Sequence, residues 1–419
     1  MLIQFSFKNF KSFKDEITLD MTASSIKEHL DKIIDKDNNK YLKVTAIYGA
    51  NASGKSNVIE AFSHMKRIIL NSFTEEAKWK TIPLKKFNFD KESKNSTSMF
   101  EVFFEYNNET YQYGFELDNY SIKEEWLYKE KKVKYKKFEL VFSRENNKFE
   151  LSKELKIYSE MLNGLSEKTL ILSFLANIKI EDIKNTYEWF KETKVLNLET
   201  FNTGGRLSEF LPKELLDGEL TAKEKFNNFL SDIDVGIKDI KIEETTSDEK
   251  NGYNIFSVHQ NNDSKEREYL PISEESDGNL KMISLYSNIE KCIERGGTIF
   301  IDELDAKLHP LLAKYLIQKF HNKNTNPNNA QLIYTTHDVI NLRKENFRRD
   351  EIWFVEKNVK NESTFYSLVE YKIDNSKVRN DASYDKDYLL GKYGALPLLK
   401  EFEEIWWDLM TYIEKDKGI

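Results

Sequence analysis

Residues 49–56 read Gly49-Ala50-Asn51-Ala52-Ser53-Gly54-Lys55-Ser56, and no other stretch restricts the fold of this chain as strongly. They match G-x-x-x-x-G-K-[ST], a loop whose backbone N–H groups cradle phosphate oxygens where a strand gives way to a helix. The pattern carries meaning only between a buried strand and a helix, and both flanks qualify. Tyr41–Tyr48 (YLKVTAIY) is rich in β-forming residues, and Val58, Ile59, Phe62, Met65 and Ile69 fall at helical spacing between Lys55 and Leu70. In that setting Lys55 is expected to reach the β- and γ-phosphates of a purine triphosphate, and the Ser56 hydroxyl to ligate Mg²⁺. The competing reading is a plain Gly-rich turn.

A second signal lies 247 residues beyond Lys55. Thr298-Ile299-Phe300-Ile301-Asp302-Glu303 is a buried strand ending in two acids. Behind a P-loop, Asp302 is expected to hold Mg²⁺, usually through water, and Glu303 to polarise the attacking water; a solvated acidic turn is the alternative. A helix over Pro310–Phe320 and a strand over Gln331–Thr335 complete a βαβ unit of parallel sheet. His337, in Thr335-Thr336-His337-Asp338, stands where it would touch a γ-phosphate, or is a hydrogen-bonded strand-end histidine. Ser276 and Gly278 open a helix running through Glu294. They suit a γ-phosphate presented by another subunit, or form a simple N-cap by Ser276 or Asp277.

The long interval has to hold further structure. Residues 2–7 and 17–21 alternate as strands, 99–117 and 122–143 read as antiparallel hairpins turning at Asn107-Asn108, and 236–270 alternates again. Thr169–Ile178 and Ile183–Thr193 read as helices. The expected fold is α/β with a parallel sheet core, an antiparallel β lobe and a helical insertion. The expected parts are 1–150, 151–235 (the insertion, suited to binding a partner) and 236–419.

Composition narrows the functions. A net charge of −8 argues against a globally basic nucleic-acid wrapper, and the single cysteine, Cys292, excludes internal disulfides and sites built on several thiolates. His29, His64, His259, His309 and His321 share no metal-site spacing and read as structural. No apolar run approaches 18 residues, and the N-terminus lacks the apolar core of a signal peptide, so a cytoplasmic location is expected. Lys129, Lys131, Lys132, Lys134, Lys136 and Lys137 interleave with Tyr128 and Tyr135. They leave nucleic acid open as a partner, although lysines guarding a strand edge explain them better.

Taken together, the P-loop, the Ser-x-Gly before a helix, the Asp-Glu strand, the Asp305 turn and His337 resemble an ABC-type ATPase head of the group containing RecF, SMC and OLD-family ATPases. MLIQFSFKNFKSF, YGANASGKSN, DELDAKLHP, IYTTHD and the late YLLGKYGALP resemble the AAA-type ATPases of bacterial anti-phage and abortive-infection systems, including those paired with RloB-like proteins. The resemblance implies a homodimer, or a higher even-numbered oligomer, that sandwiches two ATP–Mg²⁺. Gly49, Asn51, Ala52, Ser53, Gly54, Lys55, Ser56 and Asn57 of one subunit would face Ser276 and Gly278 of the other. Asp305 would line the nucleotide, Ser56 and Asp302 the metal, and Glu303 and His337 would serve hydrolysis. Ala52 stands where SMC-like loops have Gly, and Ser276-Asp277-Gly278 replaces a longer Gly-rich signature.

The expected function is an ATP-hydrolysing clamp that regulates a separate effector in anti-phage defence; the alternative is a RecF- or SMC-like DNA-maintenance ATPase. A nuclease in the same chain is not expected. Only 82 residues follow His337, and no Arg-x4–6-His pair occurs.

Overall fold

The computed structural model describes residues 1–132, 137–146, 148–198, 211–233, 236–247, 250–261, 263–306, 308–373, 376–379 and 382–396. Lys134, Tyr135 and Lys136 of the lysine-rich hairpin and Pro397 of the late motif lie outside them.

A six-stranded sheet forms the centre. Its strands are β5 (Val44–Gly49), β11 (Lys194–Asn197), β15 (Thr298–Asp302), β16 (Gln331–Thr335), β17 (Ile352–Lys357) and β18 (Ser363–Ser367). Their order is β11-β15-β16-β5-β17-β18, parallel throughout except that β18 runs antiparallel to β17. Every residue of β5, β15 and β16 is buried, as strands covered on both faces must be.

Against this lies a seven-stranded antiparallel sheet. It comprises β1 (Leu2–Lys8), β2 (Ile17–Asp20), β6 (Ser98–Tyr106), β7 (Glu109–Leu117), β8 (Ile122–Lys131), β9 (Lys137–Glu145) and β10 (Lys148–Leu151), in the order β10-β9-β8-β7-β6-β1-β2. The Asn107-Asn108 turn forms as expected, both residues taking positive φ. A short hairpin of β3 (Ile33–Lys36) and β4 (Asn39–Leu42) and a three-stranded sheet of β12 (Asp239–Ser247), β13 (Lys250–Gln260) and β14 (Arg267–Pro271) complete the strands used below. The helices are α1 (Lys55–Asn71), α2 (Lys91–Asn95), α3 (Ser159–Asn163), α4 (Ile171–Leu175), α5 (Glu181–Glu192), α6 (Lys213–Leu216), α7 (Leu220–Asp232), α8 (Asp277–Arg295), α9 (Pro310–His321) and α10 (Tyr384–Leu389).

Alternation along the central strands divides the core in two. Ile47, Phe300, Ile333 and Val355 face α1, α4, α5 and the antiparallel sheet, with Phe62 stacked on Phe300 at 4.2 Å. Tyr48, Ile301, Tyr334 and Phe354 face the opposite layer of α7, α8 and α9. Gln331 joins the two sheets. Its amide accepts from the Leu2 N–H (2.6 Å) and Thr298 Oγ1 (3.1 Å) and donates to the Leu2 and Leu42 carbonyls (both 3.0 Å), using both donors and two acceptor sites.

Three expectations change. Tyr41–Tyr48 is two strands in different sheets, parted at fully buried Lys43, whose ammonium donates to the His321 carbonyl at 3.3 Å. The helix expected over Thr169–Ile178 shrinks to α4. There, buried Glu125 reaches in from β8 and accepts from the N–H groups of Ile171 (2.7 Å) and Leu172 (3.0 Å), fixing where the helix starts. The segment read as a helical insertion carries α3 to α7, yet it also supplies β11, the edge strand beside the acidic strand. No helix among the described residues is long and apolar enough to cross a membrane.

Candidate nucleotide site

The parallel order brings the carboxyl ends of β5, β15, β16 and β11 side by side, where ligands of open α/β sheets bind. Residues distant in sequence therefore converge: Gly49 ends β5, Asp302 ends β15, Thr335 ends β16 and Asn197 ends β11.

The loop after β5 needs its glycines. Gly49 has φ +154° and Gly54 φ +115°. A Cβ on Gly49 would sit 2.4 Å from the Val355 carbonyl oxygen, and one on Gly54 would meet Ser12 Oγ at 2.6 Å and Ser363 Oγ at 2.7 Å. Ala52, exposed, holds a left-handed φ of 60°. Asn51 is exposed, Ser56 half-buried, and Ser53 Oγ is buried without a hydrogen-bond partner among the described residues. Lys55, the first residue of α1, is 5% exposed, and its ammonium donates to the Gly49 (2.9 Å) and Ala50 (3.0 Å) carbonyls. Burial lowers its pKa to about 8, against the opposing pull of Glu303, Asp305 and Asp302.

A strap of hydroxyls supports the loop from behind, and sequence reading missed it. Asn57 Nδ2 donates to Ser12 Oγ (2.7 Å), Ser12 Oγ meets Ser363 Oγ (2.8 Å), and Ser363 Oγ donates to the Ser53 carbonyl (2.5 Å). Ser12 also borders a cavity of about 610 Å³ lined by Lys11, Lys85, Lys86, Lys94 and the exposed ring of Phe89.

The two acids are held differently. Asp302, 3% exposed, accepts from Thr335 Oγ1 (2.6 Å) and Asn197 Nδ2 (2.9 Å). Thr335 Oγ1 accepts in turn from the Glu303 N–H (2.8 Å), so one buried hydroxyl ties the two acids together. Glu303 is half-buried and takes φ 55°, a left-handed conformation that a non-glycine residue keeps only when its surroundings impose it. The Asp305 carboxylate accepts from the His337 N–H (3.1 and 3.3 Å), which locks the turn after the acids to the loop after β16. His337 is exposed, and desolvation, then the nearby Lys55 ammonium, lower its pKa.

The residues fit a nucleotide with its metal. The glycine cradle excludes side chains, Ser53 Oγ and the N–H groups at the start of α1 are donors, and an anchored Asp302 with Ser56 offers hard oxygens of the kind Mg²⁺ takes. The structure thus brings together Gly49 to Asn57, Asp302, Glu303, Asp305 and His337. Ser276 and Gly278 sit at the N-terminus of α8, where Ser276 Oγ caps the Asn279 N–H at 3.2 Å, and no hydrogen bond or ion pair among the described residues joins them to that group.

Several other singled-out residues are engaged within the fold. His321 pairs with Glu351 at 2.8 Å, and burial lowers the His64 pKa to about 3, keeping its ring neutral. Lys129, Lys131 and Lys132 pair with Asp182 (2.9 Å), Glu139 (2.7 Å) and Glu109 (3.0 Å), which leaves less charge for a polyanion than the sequence suggested. Near the end of the described residues, Asp387 is bound to Lys392 at 2.6 Å. No group of three metal-ligating side chains occurs among the described residues.

CbiO1 of Clostridium perfringens, part of the ABC transporter complex CbiONQ, aligns over 99% of this chain and 100% of its own at 9% identity and a TM-score of 0.33. The recombination mediator RecF aligns over 87% of this chain and 98% of its own at 14% identity and a TM-score of 0.29. No curated protein matches. Residues 44–343, from the start of the P-loop strand to beyond His337, match the family model described as "AAA domain, putative AbiEii toxin, Type IV TA system". The chain belongs to this AbiEii-type AAA family of P-loop ATPases.

Proposed function

We propose that this chain binds ATP with Mg²⁺, closes as a head-to-head dimer around two nucleotides and reopens on hydrolysis, and so gates a separate effector in anti-phage defence. The observation that carries the reading is the joined pair of acids: Thr335 Oγ1 bonds both the Asp302 carboxylate and the Glu303 backbone N–H, and both carboxylates act electrostatically on Lys55. Mg²⁺, when bound, neutralises charge on the phosphates. Lys55 and the loop N–H groups orient the phosphates. Glu303 takes the proton of the attacking water, and His337 holds the far side of the γ-phosphate. The cavity bordered by Ser12 suits the nucleoside end, with Phe89 to stack on a base and lysines around it. Residues 151–235 serve as a lobe for the partner, an RloB-like protein or one of the same role. The family's description, naming a toxin–antitoxin system, supports a two-component arrangement.

Glu303→Gln tests the clamp. It keeps Lys55, Ser56 and Asp302, so it binds ATP, stalls hydrolysis and accumulates the closed dimer, read by light scattering and a distance probe between heads. Adding Gly278→Arg leaves ATP bound and the heads apart. No ATP-dependent closure in Glu303→Gln, or normal closure with Gly278→Arg, overturns the sandwich.

A further inference from the structure

The segment just before Ser276 is organised in a way that an ordinary helix cap does not require. The Glu275 side chain is only 6% exposed although Glu274 and Ser276 beside it are exposed. Its carboxylate accepts from three donors on two elements: Ser257 Oγ (2.6 Å) and His259 Nε2 (2.7 Å) from β13, and Asn279 Nδ2 (2.9 Å) from the first turn of α8. Asn279 also donates its backbone N–H to Ser276 Oγ. The turn 275–279 is thus closed twice, once through the helix cap and once through Glu275, and the second closure is bolted to β13. The hydrogen bonds to Glu275 make its carboxyl more acidic than usual despite burial, so the anchor is an ionised carboxylate.

We propose that Glu275 is a positioning residue, held by Ser257 and His259 of β13, that aims the Ser276–Gly278 turn at the partner subunit's nucleotide. The inference rests on the sandwich reading above. The N–H groups of the first turn of a helix have no intrahelical partner. They donate usefully to a phosphate oxygen only when their direction is fixed before contact. A misplacement on the order of 1 Å costs about 10²-fold in rate. Hydrogen bonds to an ionised acceptor are the strong ones, which suits a clamp on one turn. The arrangement also makes β13, paired with β12 on one side and β14 on the other, the element through which a push on the three-stranded sheet reaches the turn.

The test uses the full chain. Glu275→Ala should lower kcat roughly 10- to 100-fold while the KM for ATP moves less than about threefold, because the residues that bind nucleotide within the same subunit are untouched. In the Glu303→Gln background it should abolish ATP-dependent head closure with ATP binding kept. Glu275→Gln, which still accepts from Asn279 and Ser257, should recover most of kcat, and Glu274→Ala should behave as wild type. Should Glu275→Ala fail to fold, Ser257→Ala with His259→Ala removes the anchors and leaves the carboxylate; it should show the same loss of closure. Closure by Glu303→Gln that survives removal of either Glu275 or its two anchors overturns the proposal. Absence of closure in Glu303→Gln alone overturns instead the sandwich on which it rests.

Discussion

Thr335 offers the sharpest test of how the site is built. Thr335→Val keeps the shape of a fully buried side chain and deletes one hydroxyl. That hydroxyl donates to Asp302 Oδ1 at 2.6 Å and accepts from the Glu303 N–H at 2.8 Å. The bond to the Asp302 carboxylate contributes about 1.5–3 kcal/mol, and taking the acceptor from the part-buried Glu303 N–H costs up to about 1–3 kcal/mol. The two overlap, since Asp302 retains Asn197 at 2.9 Å. A combined loss of about 2–4 kcal/mol is expected, read from chemical denaturation. Turnover should suffer more than stability. Glu303 is held in its left-handed conformation partly by this bond, and relaxation by about 1 Å would lower phosphate release by roughly 10²-fold. Thr335→Ser keeps the hydroxyl, loses a methyl at a cost of about 1 kcal/mol, and should retain most turnover. A Val variant within about 0.5 kcal/mol of wild type and with full turnover would refute the argument that this hydroxyl couples the acids.

Further outcomes follow from the structure. The ordinary lysine pKa of 10.5 falls to about 8 at Lys55, and a bound phosphate raises it again. Above pH 8, ATP binding should therefore take up close to one proton and weaken by up to tenfold per pH unit, as calorimetry in buffers of different ionisation enthalpy would show; pH-independent affinity from 8 to 10 would count against a charged Lys55–phosphate contact. For folding the sign is opposite: between about 8 and 10.5 the unfolded chain binds the extra proton, so the Lys55 contribution to stability rises with pH. Gly49→Ala places a Cβ 2.4 Å from a backbone oxygen and should cost about 2 kcal/mol or more along with nucleotide binding, measured by denaturation and a fluorescent ATP analogue. Gln331→Leu strips partners from Leu2, Leu42 and Thr298 and should cost about 3–5 kcal/mol.

What could be read from the sequence was what lies in consecutive residues. Gly49–Ser56 encodes its own backbone and its own chemistry, and Thr298–Glu303 likewise states a buried strand and two acids. The supports of these motifs are not consecutive. Ser363 lies 310 residues from the Ser53 carbonyl it binds, and Asn197 lies 105 from Asp302. A serine or asparagine at a strand end has no periodicity and no motif, so only the sheet order identifies it. The same holds for secondary structure. The apolar run through Leu170–Leu175 reads as a longer helix because propensity does not register the Glu125 carboxylate, brought from β8, that caps it. Lys43 splits Tyr41–Tyr48 for a similar reason: the residues on either side of it belong to different sheets.

The strand order carries a consequence for synthesis. β5, which delivers the P-loop, has as its only ladder neighbours among the described residues β16 and β17, which begin at Gln331 and Ile352. At the roughly 5–20 residues per second of translation, β5, every residue of which is buried in the fold, waits on the order of 15–60 s after emerging before either neighbour exists. During that interval β1, β2 and β6 to β10 have all the chain they need to pair. A ribosome-bound chain is thus expected to carry a formed antiparallel lobe beside an unpaired P-loop strand. Any fragment ending before β16 would display an intact phosphate-binding motif with no sheet to hold it, and chaperones would meet the chain at that stage.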